Sequence, residues 1–292
     1  EQSGFVLNEL STEFLYTANE AYLKDLYLQT PGTELKRNAL IRYASIESLQ
    51  KDNGNMFLDL DIKESKLLVK DVLTFVPALR DQPAFADPNA TWYINSRIKG
   101  RIADLRIDAL QIAGLQDTKI DISGRIGGLP SMNKLTADLA IRNLSSSKRD
   151  MDLFIPKNTL PSNITLPSRL NAKGNIKTIS GQLYTDLSIT TDLGNATIKG
   201  SFNEINDPKK TNYNARIETK ELDLGTILQQ KEMLGPVSAT LTTKGRGFDP
   251  KTASATFEGM VHTALVKQYH YRDLQVKGNI SDQKANIAAG IN

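Results

Sequence analysis

His262 and His270 are the only histidines in the chain, eight residues apart in strand-like sequence, and no cysteine accompanies them. A structural zinc needs about four nitrogen, sulfur or carboxylate ligands, so this pair does not make a site. Asp59 and Asp61 lie two apart on one strand face, and Asp104 and Asp108 are close in sequence. Either pair could bind calcium or work as a carboxylate dyad, but both also suit the solvated face of a sheet, which is the expectation here. No Gly-x-Ser-x-Gly elbow, phosphate loop or dinucleotide fingerprint stands between a strand and a helix. Gly127-Gly128 follows a strand but leads into Leu129-Pro130, a turn. The chain is therefore expected to be no enzyme and to carry no cofactor and no metal.

What does recur is a lysine followed by a glycine between apolar residues. The pattern reads Ile98-Lys99-Gly100-Arg101-Ile102, Ala172-Lys173-Gly174-Asn175-Ile176, Ile198-Lys199-Gly200-Ser201-Phe202 and Val276-Lys277-Gly278-Asn279-Ile280. Weaker copies stand at Ile122-Ser123-Gly124-Arg125-Ile126 and Thr243-Lys244-Gly245-Arg246-Gly247. Each copy lies in a run of alternating apolar and polar residues, the period of a strand with one buried face. The glycine falls with the apolar set and the lysine or serine with the polar set. Glycine weakens a strand interior and marks a bend, a bulge or a close approach, so Gly100, Gly124, Gly174, Gly200, Gly245 and Gly278 are expected where the sheet bends. Lys99, Lys173, Lys199, Lys244 and Lys277 could form a partner surface; keeping an exposed sheet soluble and unpaired is the favoured role.

Composition bounds the rest. An apolar share of 39% and a charged share of 24% fit a folded, rather polar chain of 292 residues. Its 36 basic and 33 acidic residues are interspersed and leave a net charge of only +3, so no field large enough for nucleic acid is present. No apolar run reaches the roughly 20 residues of a membrane-spanning helix. The chain begins Glu1-Gln2-Ser3, without Met, and is expected to be an internal piece of a longer protein whose anchor lies outside it. The Asn-x-Ser/Thr triplets at Asn89, Asn143, Asn163 and Asn195 arise easily by chance.

Read in order, residues 9–17, 21–30 and 35–45 are strands, and alternation returns at 56–62. A helical turn follows, with Asp71 as N-cap and Val72, Phe75, Val76 and Leu79 on one face before Pro77, Pro83 and Pro88 end it. Phe75, Val76 and Leu79 could gate the apolar side, though plugging one layer of core is the plainer role. Strands resume at Trp92. The unit then recurs, with Asp152 and Asp223 opening its later helical turns. Gly100, Gly174 and Gly245 are spaced by 74 and 71 residues, and Gly124, Gly200 and Gly278 by 76 and 78. Two anchors agreeing on one period indicate a repeat: the end of a preceding unit over 1–55, then units over 56–132, 133–210 and 211–292.

The fold class is thus all-β, an antiparallel sheet with one apolar and one polar face and too few helical turns to cover about seventeen strands. A sandwich of two sheets would cover the apolar face; one sheet curled into a taco, a repeating groove relieved by its inward glycines, would cover itself and is preferred. Left open, such a trough would hold hydrocarbon tails, since each buried methylene contributes about 0.8 kcal/mol. Strands spaced at about 4.8 Å would make it on the order of 80 Å long, more a conduit than a pocket. Its wall would include Ile98, Ile102, Ile122, Ile126, Leu187, Ile189, Ile198, Phe202, Leu241, Phe257, Val276 and Ile280.

The chain resembles the TamB and AsmA-like superfamily of Gram-negative envelope proteins, in the form found in Bacteroidetes. The resemblance rests on the Lys-Gly-Asn-Ile and Lys-Gly-Ser-Phe strands, Glu221-Leu222-Asp223-Leu224-Gly225-Thr226-Ile227-Leu228, Leu234-Gly235-Pro236-Val237-Ser238-Ala239 and Tyr22-Leu23-Lys24-Asp25-Leu26-Tyr27-Leu28-Gln29-Thr30-Pro31. It implies a β-taco in the periplasm, anchored in the inner membrane by a segment outside this chain. It further implies a role in phospholipid movement between the membranes, with phospholipid acyl chains as cargo. The alternative it carries is a structural module of the translocation and assembly machinery, with a closed core, no lipid and a BamA-like outer-membrane barrel as partner. Neither anchor nor terminal domain is recognisable here, so no contact with that barrel is placed on any residue.

Overall fold

Alternation of apolar and polar residues sets the secondary structure of nearly the whole chain, because only the extended backbone puts every second side chain on one face. The computed structural model describes residues 5–45, 47–48, 53–75, 77–81, 83–131, 134–154, 164–179, 181–205, 207, 209–248, 252–281 and 284–291. The chain divides into two compact units, residues 1–146 and 147–292. The first holds β1 (Glu9–Tyr16), β2 (Glu20–Gln29), β3 (Glu34–Arg42), β4 (Phe57–Leu68), helix α1 (Val69–Phe75), β5 (Thr91–Arg101), β6 (Asp104–Gly114), β7 (Thr118–Gly127) and β8 (Thr136–Ser147). The second holds α2 (Lys148–Phe154), β9 (Arg169–Ile179), β10 (Gln182–Thr191), β11 (Gly194–Asn203), β12 (Asn212–Asp223), α3 (Leu224–Ile227), β13 (Leu234–Arg246), β14 (Ser254–Val266), β15 (Tyr269–Ser281) and β16 (Lys284–Ile291).

The described residues hold sixteen strands, against about seventeen expected from the sequence, and within each unit they follow one another in sequence order as neighbours in an open sheet. The strand pairs of each unit are antiparallel. From β4, from β8 and from β12 the order of elements is the same, a strand, a helix and three strands.

Bulges interrupt the ladders, and three of them are built alike. Asp25, Glu64 and Glu221 take left-handed backbone conformations, with φ of 49°, 49° and 51°. Each sits in a register shift, between Leu23 and Leu26, Ile62 and Ser65, and Thr219 and Leu222. There each acidic residue turns its N–H toward a side chain on the next strand: Asn38 Oδ1 at 2.9 Å, Asn95 Oδ1 at 2.7 Å and Ser238 Oγ at 3.0 Å. The ladder loses a backbone acceptor at a bulge, and a short polar side chain replaces it.

The helices correct two expectations. Asp71 does not cap α1, which begins two residues earlier and buries Val69 and Leu73. Its carboxylate instead accepts hydrogen bonds from Thr30 Oγ1 (2.6 Å) and Thr33 Oγ1 (2.7 Å), both buried, and so ties the helix to the β2–β3 turn. In α2 the buried acid is Asp150, at 1% exposure, whereas Asp152 is exposed and paired with Lys148 at 2.8 Å. Asp223 does cap α3, accepting from Thr226 N at 2.9 Å and Thr226 Oγ1 at 2.6 Å. Val76 lies outside the described residues, as does Asn163, and Leu79 is half-buried.

Candidate functional site

Directly opposed residues of antiparallel strands share a face, so the registers build rows across each unit. In the second unit one row runs Gly174, Leu187, Ile198, Ile217, Leu241, Gly259, Val276 and Ala289. The next runs Ile176, Thr185, Gly200, Ala215, Thr243, Phe257, Gly278 and Ile287. Ile189 and Ala196 lie in a row on one side of these, and Phe202, Tyr213, Gly245 and Ile280 in a row on the other. In the first unit Leu23, Ala39, Leu60, Ile98, Ile107, Gly124 and Leu139 form one row. Leu58, Gly100, Leu105 and Ile126 form a second, and Ser96, Leu110, Ile122 and Ile141 a third. Every wall residue expected from the sequence takes a place in such a row except Ile102, which sits in the β5–β6 turn.

On these faces the large aliphatic side chains are mostly half-buried. Among the described residues each strand makes its main contacts with its neighbours in the sheet. The fully buried row members are small in the second unit, Ala172, Ala215 and Ala239, while Leu187, Ile198, Ile217 and Leu241 remain half-buried. The exposed surface is 18448 Å², against about 15,000 Å² for two separate compact bodies of half this mass. Exposure is higher in β1 and β16, 63% for Phe14 and 63% for Ile287.

Sequence reasoning found the Lys-Gly glycines but not why each is there. Gly124 and Gly174 have φ of +135° and +140°, and a Cβ on either would strike a carbonyl oxygen of the adjoining strand, that of Asp138 or Asp186. Gly245 lies under the Tyr213 ring and Gly278 under the Phe257 ring, so an aromatic fills the space that the glycine leaves. Tyr213 also stacks on Phe248 with centroids 5.2 Å apart, and burial raises its pKa above the usual phenol value. The ladder runs unbroken through Gly100, Gly200, Gly245 and Gly278; of the six motif glycines, Gly124 flanks a register shift. Gly259 belongs to the same set, with φ of +158°, but follows Glu258 rather than lysine and escaped the pattern. Ile217, Leu139 and Ile141 were missed as well, though their alternation marks them as clearly as any residue chosen.

The opposite face is polar, and its charges answer one another across strands. Asp59 pairs with Lys99 at 2.6 Å and Asp61 with Arg97 at 3.2 Å. Asp104 pairs with Arg125, while Asp108 accepts from Arg106 at 2.7 Å. Each of the four acids that the sequence offered as a metal or dyad candidate thus has its own cation. The hydrogen bond from Arg125 holds the Asp104 carboxyl below the usual carboxylate range, as Arg142 does for Asp121. Lys199 meets Asp186 at 3.0 Å and Lys277 meets Glu258 at 3.9 Å. Around Phe57, Lys99, Arg101, Arg106 and Arg125 this face forms a concavity of about 960 Å³, but three of those four cations are taken up by the acids just named. His262 Nε2 lies 3.1 Å from Thr240 Oγ1, and His270 is exposed.

Comparison with protein-family models, curated proteins and solved structures finds no match for the chain. The fold and face themselves define an all-β chain with an open, two-faced antiparallel sheet. No described helix is long and apolar enough to cross a membrane.

Proposed function

We propose that the apolar face is a wall for lipid acyl chains, the sheet curling around them as a β-taco built from repeats of about 75 residues. The single observation that carries the reading is a continuous set of apolar rows whose large aliphatic side chains stay half-exposed. Large aliphatic side chains at half exposure offer a binding partner what a closed core keeps for itself. Binding is passive: tails are solvated by Leu187, Ile198, Ile217, Leu241 and their counterparts, while headgroups stay in water. The family resemblance supports a location in the periplasm, within a larger protein anchored in the inner membrane and passing phospholipid toward the outer membrane. A second reading is a structural or interaction module of outer-membrane protein assembly, with a closed β core and no lipid, meeting a BamA-like barrel through parts beyond this chain.

Native mass spectrometry of the protein extracted from bacteria, together with uptake of a fluorescent phospholipid, tests the first reading. Co-purified phospholipid and saturable uptake are expected, and Ile198→Asp should abolish uptake while the far-UV circular dichroism stays unchanged. Were the face a closed core, the same unpaired charge would unfold the protein. Protein that is repeatedly lipid-free and takes up no probe would end this reading and leave the second.

A further inference from the structure

One row on the polar face of the first unit gathers charge of a single sign. It runs Asp59, Lys99, Arg106, Arg125 and Asp138, with three cations side by side on β5, β6 and β7. Like charges directly opposite one another destabilise a sheet, and the acids paired with Arg106 and Arg125 stand outside this row. Asp108 is two residues along β6, and Asp104 belongs to the next row, opposite Arg101. The Asp104 carboxylate turns to Arg125, and Arg101 makes no ion pair among the described residues. In the second unit such a run stops at two, Lys199 opposite Arg216.

We propose that Lys99, Arg101, Arg106 and Arg125 bind the phosphate of a phosphomonoester. They line the concavity of about 960 Å³ together with two acids, Asp104 and Asp138. Four positive charges against two negative leave the lining at +2. A phosphomonoester carries about −1.5 to −2 near neutral pH, which matches it. Strands about 4.8 Å apart put the three row cations within a span of about 10 Å. Arg101 is two residues along β5 from Lys99, so the four side chains can converge on one phosphate, to which an arginine fork presents paired N–H donors. The ion pairs of Lys99, Arg106 and Arg125 are exposed, and pairs this exposed contribute little, so a phosphate can draw on these cations without leaving a buried charge unpaired. The volume exceeds what a phosphate ion fills and leaves room for the organic part of the ester. This site lies on the face opposite the acyl-chain wall and does not depend on what that wall binds.

Glycerol 3-phosphate, titrated calorimetrically into the whole chain at low salt, should bind saturably at one site, and added salt should weaken it. Arg101→Gln with Arg106→Gln should lower the affinity at least about tenfold, and Arg101→Gln alone, which breaks no ion pair, should lower it several-fold. Lys199→Gln with Arg216→Gln removes the same charge from the polar face of the second unit and should leave the affinity unchanged. Circular dichroism should be the same for all of these variants. Arg106→Gln alone should not lower the denaturant midpoint, because it relieves repulsion from Lys99 and Arg125. Vesicles of phosphatidylcholine with and without phosphatidic acid separate the sources of the phosphate. Co-sedimentation that requires both phosphatidic acid and Arg101 assigns a lipid headgroup; binding of glycerol 3-phosphate without it assigns a soluble ester. The proposal is overturned by a chain that leaves glycerol 3-phosphate unbound, by binding that survives Arg101→Gln with Arg106→Gln, or by equal losses in the two double variants. An Arg106→Gln protein less stable than the parent would overturn it too, since the row would then be satisfied by its own acids.

Discussion

At the residue scale, the two faces of the sheet are set by single atoms. A Cβ on Gly174 would collide with the Asp186 carbonyl, in a backbone conformation that side chains rarely adopt. Gly290 has open space around it. Gly174→Ala should therefore lose about 1–3 kcal/mol and Gly290→Ala almost nothing, as read from denaturant midpoints. The Thr185 hydroxyl is buried on the apolar face without a hydrogen-bond partner. An unsatisfied buried hydroxyl costs about 1–3 kcal/mol, so Thr185→Val should raise stability by about 1 kcal/mol in the same titration, an increase a satisfied hydroxyl would not allow. The Lys-Gly pattern was legible because it repeats in the chain. The role of each glycine was not, since it depends on whether a carbonyl or an aromatic ring of the neighbouring strand arrives at that point. The aspartates offered as metal candidates looked like pairs only because the sequence does not show that Lys99 and Arg97 stand opposite them.

At the element scale, strands follow from alternation, but bulges and helical turns depend on distant partners. Nothing local to Glu64 marks a left-handed residue; Asn95, thirty-one positions later, completes it. Likewise Asp71 resembles a cap in sequence and becomes a tie to Thr30 and Thr33 only when β2 and β3 are in place. Asp223 is the case where local sequence sufficed, because its partner, Thr226, is three residues away. The hydrogen bonds from Thr226, side chain first and backbone second, depress the Asp223 carboxyl below its ordinary value. The folded state then binds its proton less readily than the unfolded one. Its stabilisation is complete above the unfolded value of about 3.9 and is lost as pH falls through the lower, folded one. Asp223→Ala should cost about 1 kcal/mol near neutral pH, and its melting temperature should converge on that of the parent protein in strong acid. A difference that persists undiminished in acid would assign the effect to packing of α3 rather than to the ionised cap.

At the scale of the whole molecule, the question is where the apolar surface goes. Ordinary domains of this mass bury their large aliphatic side chains; here the half-buried rows and the surface of 18448 Å² say that much of it stays at the boundary with water. Stability must then come from the ladders and from partial shielding of each row by its neighbours, which is why small residues such as Ala215 and Ala239 are the ones fully covered. The class of fold was legible in the sequence because a period of two extends almost from end to end. Whether a second layer would cover the apolar face was not, because a sandwich and an open sheet share that period. A face left uncovered would have a direct signature. The native protein at neutral pH should bind the dye ANS with strong fluorescence, a property otherwise typical of partly folded states, while keeping a cooperative melt. Ile198→Asp with Ile217→Asp, neighbours across β11 and β12, should lower that fluorescence several-fold and move the melting temperature little, because both charges stay within reach of water. If instead the parent protein leaves ANS dark, or the double substitution unfolds it, the apolar rows are enclosed and the conduit reading has no surface on which to act.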